Sequence, residues 1–233
     1  MKKAIFFFLS SIIFLSVDAQ KKSKGKDKKA PVKTDLITVG DPTPVPDSST
    51  RFTGVIKYNM TTDDPADKDS MFIIFGDKQI RFTMFTPGYK EGQIFETNMI
   101  ANFTDSMLYI LDSRTKTYKM ERFADRNPDT EFDLLNHKKT APIMKIICTE
   151  YSGEMKTKDG ETFEAACLVS KSHSYIDAMD YNFLNIQPVV YGYRIVLGWR
   201  TKTSDNENTY IIAYKIEPGD VKSYFDLSGY KAN

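Results

Sequence analysis

The chain is 233 residues long, 41% hydrophobic and 13% aromatic, with a formal net charge of +1. That apolar content supplies a sizeable core and excludes a chain that is disordered throughout. Near-neutral charge argues against a domain built to bind nucleic acid. It hides an asymmetry, because lysines are concentrated at one end.

Lys2 and Lys3 precede the apolar run Ala4–Val17, which is followed by Val17-Asp-Ala19. A charged start, an apolar stretch short for a comfortable membrane span and small residues at its end read as a secretory signal peptide over 1–19. The competing reading is an uncleaved membrane anchor. With no cysteine near the cleavage point there is no lipobox, so a mature chain starting at Gln20 is expected in the periplasm or outside the cell.

Residues 20–50 read as a disordered linker. From Gln20 to Lys33, Lys21, Lys22, Lys24, Lys26, Lys28, Lys29 and Lys33 stand against a single acid, Asp27, and Pro42, Pro44 and Pro46 follow. Such a block repels itself and has little to bury, and its prolines favour extended backbone. It serves either as a solubilising spacer or as a tether to an anionic envelope surface, at about 1 kcal/mol per lysine.

The folded domain spans 51–233. Phe52, Gly54, Ile56, Tyr58 and Met60 alternate with more polar residues, the pattern of a half-buried strand. Met71–Phe75 is continuously apolar, as in a strand covered on both faces. Ile80, Phe82 and Met84 then share a face. Further strands run to Met120, separated by Gly, Pro, Asn and Asp. Asn127-Pro-Asp129 predicts the start of a short helix carrying Phe132, Leu134 and Leu135 and ending before Pro142, with His137 toward its C-terminal end. Met144–Glu154 and Phe163–Ser170 follow as strands joined at Lys158-Asp-Gly160.

Ser174 predicts the cap of a second helix, with Ile176, Met179 and Phe183 at helical spacing. Val189–Arg200 reads as one long strand with Val189, Tyr191, Tyr193, Ile195, Leu197 and Trp199 on one face. Gly192 and Gly198 lie on the other face, where they let the strand bend. Tyr210–Glu217 closes the sheet, before Pro218-Gly-Asp220.

Few residues carry chemistry. His137 and His173 have no Cys, Asp or Glu at ligand spacing, so no metal or other cofactor is expected. Phosphate loops, dinucleotide fingerprints and nucleophile elbows are missing from the sequence. Asp63, Asp64, Asp67 and Asp69 lack the spacing of a calcium loop and read as a solvated turn. The expectation is therefore a protein without enzymatic activity. An oxidising compartment permits a disulfide between Cys148 and Cys167, whose spacing suits neighbouring strands; the alternative is two small buried residues that never meet.

Gly76-Asp-Lys-Gln-Ile-Arg-Phe82, then Thr104-Asp-Ser-Met-Leu-Tyr-Ile-Leu-Asp112 and Lys116-Thr-Tyr118, resembles the LolA/LolB-like superfamily of periplasmic lipoprotein carriers. The opening Phe52-x-Gly-x-Ile-x-Tyr58 and the closing Ser223–Tyr230 resemble an uncharacterised exported Bacteroidota-type branch of that group. The resemblance implies a mainly β (α+β) fold: a curved antiparallel half-barrel sheet with two or three short helices on its concave face. The implied activity is binding of acyl chains or other lipid-like apolar ligands. If the face of Tyr191, Tyr193, Ile195, Leu197 and Trp199 is concave, these residues line the pocket. Otherwise that face is filled core and the sheet is a structural or interaction scaffold of the envelope. A basic tail where the carriers have a helix, and the missing lipobox, depart from the family pattern.

Overall fold

A computed structural model describes residues 50–63, 68–88, 93–123, 130–176, 188–202 and 207–233. All of these fall in the unit Thr43–Asn233, whereas the unit Met1–Pro42 lies outside them. The expected signal peptide, the linker up to residue 49, Asp64, Asp67, the Asn127–Asp129 cap, Met179 and Phe183 likewise lie outside the described residues.

The described residues form thirteen strands: β1 Gly54–Thr62, β2 Lys68–Phe75, β3 Gln79–Pro87, β4 Ile94–Asn102, β5 Met107–Asp112, β6 Thr117–Arg122, β7 Thr130–Ile143, β8 Ile146–Thr157, β9 Thr162–Ser174, β10 Val190–Tyr191, β11 Arg194–Lys202, β12 Asn208–Pro218 and β13 Lys231–Ala232. They form one open sheet in the order β13-β6-β5-β4-β3-β2-β1-β12-β11-β9-β8-β7, with β10 paired to β11. Every pairing between strands is antiparallel except β13 with β6.

The hairpins follow from local chemistry. Asp112 Oδ1 accepts from the backbone N–H of Arg114 (2.8 Å) and Thr115 (3.1 Å), which folds the β5–β6 turn. Asn102 and Asp105 do the same between β4 and β5, accepting from the N–H of Thr104 and Met107. These carboxylate and amide side chains replace ladder partners that the turning backbone loses.

Alternation decides which residues enter the core. Ile56 and Tyr58 of β1 pair across to Ile73 and Met71 of β2, then to Phe82 and Met84 of β3, and all six are buried. The Tyr58 hydroxyl donates to the Val196 carbonyl (2.9 Å) and ties β1 to β11. On the opposite face, Val55 and Ile74 are covered by Val221, with Phe72 and Phe225 packed alongside. The C-terminal segment supplies that cover. It leaves β12, makes one 3-10 turn at Lys222–Phe225, accepts a bond from Arg81 Nη1 at the Tyr224 carbonyl (2.7 Å) and ends on β6. Strand order places β1 to β5 between its two anchor points, so the segment is a strap.

Two expectations are corrected. The first predicted helix is instead β7, paired with β8 from Thr130↔Thr157 through Asn136↔Tyr151 and again from Thr140 to Ile143. Thr130, Phe132 and Leu134 alternate with Glu131 and Asp133, a period of two that pairing with a long neighbour exploits. His137 accordingly sits in a strand, 3.3 Å from the Ser152 carbonyl. No α-helix occurs among the described residues, and Ser174 ends β9.

Second, Val189–Arg200 is not one strand. It reverses at Gly192-Tyr193, whose φ angles are +53° and +60°, so that Tyr191 pairs with Arg194 and Val190 with Ile195. Positive φ at both central residues marks the two-residue turn whose twist matches flanking strands.

Candidate functional site

The register around β11 sets out the site. Trp199 lies opposite Cys167 of β9 and Ile211 of β12. Cys167 lies opposite Tyr151 of β8, and Ile211 opposite Met60 of β1. Directly opposed residues in a ladder share a face. Following the pairings outward puts Met71, Met84 and Met99 on the face of Met60, and Met155 on the face of Tyr151. One continuous face thus carries Trp199 and five methionines, all five buried.

Aromatic rings gather at one end of this face. Phe132 of β7 meets Trp199 at right angles, with ring centroids 5.3 Å apart. Tyr151 and Tyr191 are 4.7 Å apart. Between the row of Phe132, Met155 and Phe163 and the row of Tyr151, Cys167 and Trp199 lie Gly153 and Ala165. These small residues leave room for Phe132 to reach the indole. A β-carbon on Gly153 would overlap the Asp133 carbonyl, so β7 and β8 approach each other closely there.

The polar groups in this setting are few. The Tyr191 hydroxyl donates to the Leu134 carbonyl (3.0 Å) and is pushed up to about 12 by burial. Burial likewise raises the Tyr151 hydroxyl and the Cys167 thiol. Trp199 is 3% exposed, and its Nε1–H has no acceptor among the described residues. Leaving a buried donor unpaired costs about 1–3 kcal/mol.

The residues expected to line a pocket are therefore divided. Ile195, Leu197 and Trp199 are buried on β11. Tyr191 belongs to β10 and joins the aromatic group through Tyr151. Tyr193 is in the turn, where its carbonyl accepts from the Tyr175 N–H (3.0 Å), and it does not share a strand face with Trp199. Phe132 and the methionine row escape a sequence reading. Phe132 sits in the stretch read as helix, and methionine alternation within each strand does not reveal which strands are neighbours.

Both cysteines are free and buried. Cys148 faces Ser170 and Cys167 faces Tyr151, a three-position offset that turns the two side chains to opposite sides of the β8–β9 pair. The expected bridge is not formed, because a disulfide needs Cα atoms within about 7 Å and side chains that converge.

Other groupings carry no chemistry of their own. Ser170 Oγ lies 3.0 Å from His173 Nδ1, but it also accepts the backbone N–H of Ser172 (3.2 Å) and His173 (3.0 Å), which holds the irregular stretch of β9 where its register with β11 shifts. Among the described residues no three His, Cys, Asp or Glu side chains are gathered as for a metal ion. Nor does any helix among them have the length and apolar character to cross a membrane. No protein-family model matches the chain, and no curated protein matches it.

Proposed function

We propose that this chain is a non-enzymatic, exported binding or carrier protein for acyl chains or similar apolar ligands, held against the face that bears Trp199. The observation that carries this reading is the set of five buried methionines, Met60, Met71, Met84, Met99 and Met155, spread over that face among Ile56, Ile73 and Phe82. Methionine is unbranched and polarisable, and it repacks around partners of varying shape. Isoleucine and leucine, with well-defined rotamers, suit a core that is filled once and for all. A bound chain gains about 0.8 kcal/mol for each methylene buried.

A half-barrel of the LolA/LolB-like kind accompanies the proposal. Phe132 and Trp199 are three strands and four register positions apart, which on a flat sheet is roughly 20 Å. Their rings are in contact, and this supports a sheet curled with the methionine face inward. The lysine-rich segment after Gln20 would then hold the carrier near an anionic envelope surface.

One observation favours the scaffold reading instead: Ile195 and Leu197 are fully buried within the protein itself. Titration with a long-chain acyl probe separates the two. The carrier gives a saturable change in Trp199 emission, which Leu197→Glu weakens. A flat titration with folded, ligand-free protein establishes the scaffold and ends the carrier reading.

A further inference from the structure

We infer that the ligand is not a bare hydrocarbon but carries an acyl carbonyl oxygen, and that this oxygen accepts a hydrogen bond from Trp199 Nε1–H. The inference rests on the carrier reading above and specifies its ligand. Trp199 is 97% buried on the methionine face, packed edgewise with Phe132 and flanked along the ladder by Cys167 and Ile211. Its N–H is the polar atom of that neighbourhood with no acceptor among the described residues. Tyr151 on the same row and Tyr191 packed against it carry the hydroxyls of this neighbourhood, and neither accepts the indole N–H.

An apolar site with one convergent donor selects a chain bearing one acceptor. Methylenes supply the affinity along the methionines, and the donor fixes where the carbonyl end comes to rest. An indole N–H is neutral, so an ester or amide carbonyl suits it as well as a carboxylate does. The site therefore takes the acyl group of a lipid or of a free fatty acid by the same bond. Phe132 and Gly153 make the placement specific. The ring closes one side of the indole, and the missing side chain at 153 lets the β7 backbone that carries this ring come close to β8.

The chain has a single tryptophan, so a nitrogen-15-labelled sample gives one indole N–H cross-peak. The full chain as purified from cells is titrated with laurate, with glycerol monolaurate and with 1-chlorododecane, which has the chain but no carbonyl. Binding of laurate or its glycerol ester, with the indole proton moving downfield, is the expected result. The ester arm tells a lipid source from a free acid. The chloroalkane should bind about 3- to 10-fold more weakly and leave that proton unmoved, the range one neutral hydrogen bond is worth. Trp199→Phe, followed by calorimetry, should lower laurate affinity more than chloroalkane affinity and so abolish the difference between the two.

Equal binding of all three ligands with a stationary cross-peak overturns the inference and leaves the carrier reading standing. An indole proton shifted upfield in the free protein, and indifferent to ligand, overturns it too, because the Phe132 ring then already receives the N–H. If none of the three binds, the carrier reading itself falls and the inference falls with it. The ligand comparison is made on the unmutated chain, so it decides the matter even if Trp199→Phe fails to fold.

Discussion

At the scale of single residues, two glycines fail for different reasons when replaced. At Gly153 a β-carbon would strike the Asp133 backbone oxygen, which cannot swing aside. Gly153→Ala should cost about 2–3 kcal/mol in a urea titration, within the range for overpacking, and should also disturb the Phe132–Trp199 contact. Gly192 has nothing within 4 Å of a β-carbon, but its φ is +53°. Gly192→Val should therefore cost about 1–2 kcal/mol through backbone strain alone; a neutral result would mean the turn can change type. His173 adds a pH dependence. Burial lowers its pKa below the ordinary 6.5, so the unfolded chain binds a proton where the folded chain does not. Stability is then fully present above about pH 6.5 and is lost as pH falls toward the folded pKa. Denaturation midpoints should drop below pH 6.5 more steeply for the natural chain than for His173→Gln, and parallel curves would remove His173 from the effect.

At the scale of elements, β7 ends the sheet, and among the described residues no strand pairs with its outer edge. It is guarded, however. The register with β8 slips between Asn136 and Thr140, Lys138 adopts φ +57°, and Lys139 follows. A bulge and charged side chains on an edge discourage pairing with another chain. Leu135, 62% exposed beside them, is the apolar residue they would keep apart from a second copy. Replacing Lys138 with Thr and Lys139 with Val should produce concentration-dependent association in sedimentation velocity; an unchanged monomer would assign the protection to the bulge alone.

The same strand marks where the sequence is legible and where it is not. β1 and β3 are readable because their alternation is uninterrupted, and β2 because its apolar run Met71–Phe75 is short and bounded by Asp69 and Gly76. β7 is misread because an Asn-Pro-Asp start and the Leu134-Leu135 pair imitate a helix, while the evidence for a strand lies in a partner hairpin away. Tyr191 to Trp199 is misread for the converse reason. Alternation holds on both sides of Gly192, so a turn of two residues is invisible to a count of faces. The site was legible at Trp199 and Leu197; Phe132, brought to Trp199 by the shape of the whole sheet, was not.

At the scale of the molecule, export is tested at the N-terminus. Material recovered outside the cytoplasm should begin at Gln20 or its cyclised form, and an intact Met1 on such material would refute cleavage after Ala19. The order of strands bears on the same journey. The first strand of the domain lies beside one of the last, from Gly54↔Pro218 to Thr62↔Thr209, and the strap that covers β1 to β3 is formed by the final residues. The centre of the sheet therefore cannot close until almost the whole chain is present, and the entropy of a loop of that length must be met before any of its contacts is gained. Pairing of β1 with β12 during synthesis is excluded until that late strand is made, whereas β1 to β6 pair as hairpins of strands adjacent in sequence. For the exported chain proposed above, delay is useful, because a polypeptide that must thread through a membrane unfolded is kept from its final form until its last residues arrive.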